Sequence, residues 1–269
     1  MEYVTVQDTA VPALGLGTWQ LRGEECRSAV ERALEIGYRH VDTAQMYRNE
    51  AAVGTAIANS DVDRDELFVV TKVQRKNLAH DDVIRSVEGS LDRLGTSIDL
   101  LLIHWPSRSV PIEETIGTMN RLQREAAVDH IGVSNFSVEQ LREAIAASET
   151  PILTNQVEYH PLNRQDALLE FCLDNDVLLT AYSPLAKGGV VGNGTLREIG
   201  ARYGKTEAQV ALRWLLQQGA VAAIPKASSR KHQAENLDVF DFSLTESEMR
   251  RVFDVRGGLL GRLRDRLGI

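Results

Sequence analysis

IDLLLIHW, residues 98–105, is an unbroken apolar run closed by a histidine and a tryptophan. A strand with one wet face alternates apolar and polar residues. A continuous run of this length instead reads as a strand covered on both faces, as in parallel α/β sheets. Seven other runs share its character: LGLGTW (14–19), YRHVD (38–42), LFVVTK (67–72), VDHIGVSN (128–135), ILTNQV (152–157), VLLTAYS (177–183) and AVAAIP (220–225). Between them lie segments such as EECRSAVERALEIG, DDVIRSVEGSLDRLG, VEQLREAIAAS and QDALLEFCLDN, whose apolar residues recur every three or four positions. That spacing places them on one face of a helix.

Eight strand–helix units predict α/β architecture with the sheet closed as a (β/α)8 TIM barrel, for which a chain of about 250 residues is typical. The opening YVTVQDTAVPALGLG reads as an N-terminal hairpin before the first barrel strand, turning around Gln7–Thr9. TLREIGARYG and TEAQVALRWLLQQG both fall between the seventh and eighth strands, and LTESEMRRVFD adds a helix near the C-terminus. No linker or composition break divides the chain, so a single barrel domain is expected over residues 1–269. A doubly wound sheet would carry GxGxxG in its first turn; Gly15 and Gly17 fit, but Gln20 stands where the third glycine belongs.

Apolar residues make up 43 % and charged residues 25 %, an ordinary globular composition. A net charge of −8 argues against a nucleic-acid partner. Cys26 and Cys172 form no CxxC pair, so no disulfide framework is expected and a reducing cytoplasm suits the chain. The N-terminus does not read as a signal peptide, and no run is long enough to cross a bilayer. The basic, amphipathic LLGRLRDRLGI at the C-terminus is expected to pack its leucines on the body rather than on a membrane. The six histidines form no HExxH or Cys/His spacing, so no metal is expected.

Barrel active sites form at the carboxyl ends of the strands. Those ends read Asp42, Lys72, His104, Ser134 with Asn135, Gln156, Tyr182 with Ser183, and Lys226. Each has an ordinary explanation alone: Asp42 as a helix cap, Lys72 as a solvated strand end, His104 as a partner for a backbone carbonyl. Independent caps would favour Ser, Asp and Asn, however, not a lysine and a histidine directly after apolar runs. VDTAQMYRNE (41–50) adds Tyr47, five residues beyond Asp42, with Asn49 the expected cap of the next helix. A phenol titrates near 10, too high for easy proton donation; a nearby ammonium would lower it, and a carboxylate would hold that ammonium charged. With a histidine to orient a carbonyl oxygen, the set suits general-acid catalysis, and a cofactor must supply the rest.

VDTAQMYRNE, TKV, LLIHWP, GVSNF, NQVEYHPL, AYSPLAKGG and IPKASSRKHQAENL resemble, in order, the signature segments of the aldo-keto reductases. The resemblance runs from GLGTW to the ENL segment and extends to members of the 2,5-diketo-gluconate reductase type. It implies an NADPH-dependent oxidoreductase with a catalytic tetrad of Asp42, Tyr47, Lys72 and His104, in which Tyr47 protonates the carbonyl oxygen. Gly17, Thr18 and Asp42 would adjoin the cofactor. Ser134, Asn135 and Gln156 would hold its carboxamide, and Tyr182 would stack on the nicotinamide. Ser183, Leu185 and the 187–194 loop would cover the pyrophosphate. Lys226 would face the 2′-phosphate in a segment with Ala227, Ser228, Ser229 and His232, while Glu235 and Asn236 would bind adenine.

Trp19, Tyr47, His104 and Trp105 would wall the substrate pocket, whereas Trp214 is better placed in the core. The expected substrates are small carbonyl compounds (aldehydes, dicarbonyls or keto-sugar acids), and the expected state is a monomer. Ala227 and His232 stand where NADPH-preferring members commonly have serine and arginine, so NADH use is open; Ser229, Arg230 or Lys231 are candidates to compensate. Two rival readings are a nucleotide-sensing regulatory subunit on the same fold and a cofactor-free enzyme using Lys72 as a Schiff base.

Overall fold

The computed structural model describes residues 1–255. The LLGRLRDRLGI segment, with the expectation attached to it, lies outside the described residues. Strands β1 (Tyr3–Val6) and β2 (Thr9–Pro12) form an antiparallel hairpin. Gln7 and Asp8, with φ of 48° and 61°, make its two-residue turn, the left-handed geometry that matches strand twist.

The barrel strands follow in chain order: β3 (Leu16–Gly17), β4 (His40–Asp42), β5 (Phe68–Val73), β6 (Leu100–Ile103), β7 (His130–Ser134), β8 (Ile152–Glu158), β9 (Leu178–Tyr182) and β10 (Val221–Ile224). Each pairs in parallel with the next. All eight predicted strands are present. The first is shortest, because residues before Leu16 turn their backbone to the last strand. Leu14 bridges Ala223 in parallel, and the Gly15 N–H donates to the Ala223 carbonyl at 2.9 Å. The Gly17 N–H donates to the Pro225 carbonyl at 3.1 Å, which closes the barrel.

Alternation along the strands sorts the side chains into two cores. Phe68, Val70, Leu100, Leu102, Leu153, Leu178 and Ala222 fill the barrel axis, and Val6 and Val11 of the hairpin plug its amino-terminal end. Val69, Val73, Leu101 and Ile103 point outward under the helices. Two residues beyond the inward Val70, Leu102 and His40 come Lys72, His104 and Asp42. The rim residues therefore continue the columns that build the barrel floor.

The ring outside comprises α1 (Gly23–Glu35), α2 (Glu50–Ala58), α3 (His80–Leu94), α4 (Ile112–Arg124), α5 (Val138–Ala147) and α6 (Asp166–Asp174). After β9 come α7 (Gly194–Tyr203) and α8 (Glu207–Leu216), and after β10 α9 (Arg230–Leu237) and α10 (Glu246–Phe253). Helix α9 packs against α1, completing the ring, while α10 rests on α7 and α8. Capping boxes at Ser137, Thr206 and Thr245 start α5, α8 and α10. Gly54 lets α2 touch α3: a Cβ there would fall 2.0 Å from the Leu94 carbonyl oxygen. Trp214 is buried between the edges of Tyr159 and Phe253, and Cys26 and Cys172 are buried free thiols. No helix among the described residues is long and apolar enough to cross a membrane.

Candidate active site

Asp42 ends β4 with both carboxylate oxygens engaged. Oδ1 accepts from Lys72 Nζ at 2.5 Å and Oδ2 from Gln156 Nε2 at 2.7 Å. Lys72 is fully buried, and its ammonium also donates to the Thr43 carbonyl at 2.8 Å. A 3-10 turn over Gln45–Tyr47 then brings the chain back across the rim, ending at Arg48 in left-handed conformation (φ 56°). Gln45 ties this turn to α3, donating through Nε2 to the Ser86 carbonyl and the Ser90 hydroxyl. The Tyr47 ring thereby meets His104 edge-on, 5.6 Å between centroids, with Lys72 Nζ 5.2 Å from the Tyr47 centroid. The four residues expected to act together do converge.

Their electrostatics depart from expectation. The hydrogen bonds of Lys72 go to Asp42 and Thr43 rather than to the Tyr47 hydroxyl. Burial pushes the Tyr47 phenol well above its ordinary value, and the Asp42 carboxylate adds to the rise. Desolvation, joined by the Asp42 charge, thus keeps the phenol protonated. Burial also pulls Lys72 down, opposed by Asp42. Burial, aided by the Lys72 charge, lowers His104 to about 3, and its buried Nδ1 has no partner. A neutral phenol and a neutral imidazole therefore stand beside a buried ion pair.

A cleft of about 750 Å³ opens above them. Trp19, Tyr47, His104 and Trp105 line one part of it. Gly17, Asp42, Ser134, Asn135, Gln156 and Tyr182 line the middle of the rim, continuing to Ser183 and Leu185. Asn135, at φ 64°, donates through Nδ2 to the His104 carbonyl at 2.9 Å and accepts from the Tyr182 hydroxyl at 2.9 Å, which pins that ring. Ser134 Oγ donates to the Gln156 carbonyl at 2.8 Å. Lys226, Ala227, His232, Glu235 and Asn236 line the cleft after β10.

Six named residues do not line it: Thr18, Lys72, Ser228, Ser229, Arg230 and Lys231. Lys72 lies behind Asp42, and Thr18 is buried with its hydroxyl donating to the Asp42 carbonyl. The Ser228 carbonyl accepts from Arg32, and Ser229 Oγ caps α9. Conversely, Met46, Glu158 and Glu207 line the cleft without having been singled out, while Lys187 and Val191 line it from the 187–194 loop. Met46 and Glu158 fall within the VDTAQMYRNE and NQVEYHPL segments, whereas Glu207 sits at an element end without periodicity. The donor set suits a nicotinamide dinucleotide: neutral amides and a hydroxyl for a carboxamide, a pinned flat ring, and a cation for phosphate.

Residues 13–256 match the model of the aldo/keto reductase family. The chain belongs to that family. The sequence of this reductase is 42 % identical to a 9,11-endoperoxide prostaglandin H2 reductase of Trypanosoma cruzi, covering 90 % of this chain and 87 % of that one. It is 39 % identical to the methylglyoxal reductase of Escherichia coli over 98 % of both chains. Its fold superimposes on a crystal structure assigned provisionally to a 2,5-diketo-D-gluconic acid reductase B, with TM-score 0.94, 45 % identity, and coverage of 97 % and 93 %. A Bombyx mori aldo-keto reductase solved in complex with NADP matches with TM-score 0.86, 33 % identity, and coverage of 93 % and 91 %. The reductase is thus an oxidoreductase of carbonyl type.

Proposed function

We propose that this reductase uses NADPH to convert small aldehydes, dicarbonyls or keto-sugar acids to alcohols, with Tyr47 as general acid. One observation carries the reading: the Tyr47 phenol and His104 imidazole meet over the Lys72–Asp42 pair in a cleft that also contains Lys226. The names of the Escherichia coli relative and the diketo-gluconic reductase support the substrate class, and the Bombyx mori complex supports the cofactor. NADPH, when bound, supplies hydride to the carbonyl carbon. Ser134, Asn135 and Gln156 hold its carboxamide, Tyr182 packs on its ring, and Lys226 faces its 2′-phosphate. Ser183, Leu185 and the 187–194 loop cover the pyrophosphate, while Glu235 and Asn236 bind adenine.

The residues of the chain handle the proton. Neutral His104 orients the carbonyl oxygen by hydrogen bonding, and the Tyr47 O–H protonates it. The phenol pays no penalty before reaction because it is held neutral; charge forms on it only as the proton leaves, when the Lys72 ammonium opposes its rise. Lys72 is fully buried and paired with Asp42, which argues against the Schiff-base reading. The proposal includes a cytoplasmic monomer acting as one barrel domain.

Tyr47→Phe tests it. With NADPH and methylglyoxal or another small aldehyde, turnover is expected to fall about 10²–10⁴-fold, while NADP⁺ still quenches protein fluorescence. Retained turnover in the variant overturns the acid assignment. A wild type that binds NADP⁺ but turns over no carbonyl on a broad panel would favour the regulatory subunit instead.

A further inference from the structure

Charge on this barrel is sorted by end. The segments leading from each barrel strand into the next α-helix carry eight Lys or Arg residues and no Asp or Glu. Those leading from the helices back into the strands carry nine Asp or Glu against two Arg, within a chain of net charge −8. The four acids that line the cleft each have a basic neighbour within 4 Å: Lys72 for Asp42, Arg197 for Glu207, Lys231 for Glu235 and His160 for Glu158. Four of the eight cations, Arg48, Arg75, Lys76 and Arg108, stand on the three neighbouring segments that carry or adjoin Tyr47 and Trp105, away from the phosphate side assigned to Lys226.

Arg48 and Lys76 share a hollow of about 650 Å³ between the Gln45–Tyr47 turn, α2 and α3. Met46 lines both this hollow and the cleft, so the two adjoin beside Tyr47. Two acids line the hollow, and both are neutralised: buried Glu50 pairs with Arg93 at 2.8 Å, and Asp82 with Arg85 at 2.5 Å. Arg48 and Lys76 are exposed, and among the described residues neither side chain carries an ion pair or a hydrogen bond. Arg75 adds a third cation at the mouth, its guanidinium carbon 5.5 Å from the Trp105 centroid.

We propose, resting on the reductase reading given above, that this hollow is a subsite for a carboxylate carried by the carbonyl substrate. The carbonyl meets Tyr47 and His104, the chain of the substrate passes Met46, and its acid group is received by Arg48 and Lys76. The guanidinium fork matches a planar carboxylate, and the ammonium adds a second positive charge. The end-to-end sorting of charge draws anions toward this face before any contact is made. Among small carbonyl compounds, those bearing an acid group are therefore selected, and neutral aldehydes gain nothing from the hollow. Because both cations are exposed, the gain is modest and sensitive to salt.

Succinic semialdehyde and 4-carboxybenzaldehyde, each compared with its methyl ester, test the subsite at saturating NADPH and about pH 7, where the carboxylates are ionised. The ester keeps the reacting carbonyl and removes the charge. In the wild type, kcat/KM is expected to favour the acids about tenfold, chiefly through KM, and that preference is expected to shrink in about 0.5 M NaCl. Arg48→Gln and Lys76→Gln are each expected to reduce the preference about threefold, and the double variant to abolish it. Lys76→Glu, which reverses one charge, is expected to reduce it further than Lys76→Gln; circular dichroism checks that each variant is folded. A wild type that reduces acid and ester equally well, or a double variant that keeps the wild-type preference, overturns the subsite and leaves the reductase standing. A wild type that reduces neither overturns the reductase reading and this inference together.

Discussion

His104 is neutral because two neighbours make its charge costly: a dry rim and the Lys72 ammonium. It gains a proton only near pH 3, and Tyr47, raised by burial, loses one only above 10. Neither group titrates in between, so kcat/KM for carbonyl reduction at saturating NADPH is expected to stay level from about pH 6 to about pH 9. A limb near pH 6.5 that vanishes in His104→Gln would show that the imidazole is not held neutral. At this scale the sequence was readable wherever a residue continued an inward column: Asp42, Lys72, His104 and Tyr182 all do. Glu158 and Glu207 were not readable, because no repeat says which way an element-end side chain turns. Nor was the diversion of Arg230, whose partner Glu35 lies on a helix far away in the chain.

Asn49 shows why element boundaries were clearer than what holds them. It occupies the residue before α2, as expected of a cap, yet its side chain makes no capping bond. It instead accepts from the Thr43 hydroxyl at 2.6 Å and donates to the Thr18 and Leu21 carbonyls at 2.9 and 3.0 Å, stitching the β3 and β4 loops together. Those two buried carbonyls outcompete the helix end, and nothing in the local sequence announces them. Helix α9 lacks an apolar stripe, and Tyr38 and Gln233 hold it: the Tyr38 hydroxyl donates to the Gln233 carbonyl, and Gln233 Nε2 to the Ala29 and Ala227 carbonyls. Packing between elements yields a direct test at Gly54. Gly54→Ala must push α2 off the Leu94 carbonyl, a backbone atom that cannot rotate away, so about 1–3 kcal/mol of stability is expected to be lost in urea unfolding. An unchanged midpoint would mean that the two helices are free to slide.

The whole molecule carries four histidines whose pKa values burial lowers: His40, His104, His130 and His160. In the unfolded chain a histidine titrates near 6.5. Below about that pH the unfolded chain binds protons that the folded one refuses, so stability is complete above it and declines as pH falls toward the lowered values. The slope is at most about 1.4 kcal/mol per pH unit for each fully shifted group, and less for the partly exposed His130. The melting temperature is therefore expected to drop between about pH 7.5 and about pH 5.5; a constant value would count against these buried neutral imidazoles. The number of strand–helix units, and hence the barrel, was legible because both periods repeat along the chain. The seam was not: no pattern reveals that Leu14 meets Ala223. That seam joins the first barrel strand to the last, so it can form only once both exist. Strand β3 is made first and β10 last, so the growing sheet keeps two bare edges through most of synthesis. Such unpaired edges invite pairing with other chains until Val221–Ile224 is in place. A message truncated before that point yields an open, adhesive sheet rather than a smaller barrel.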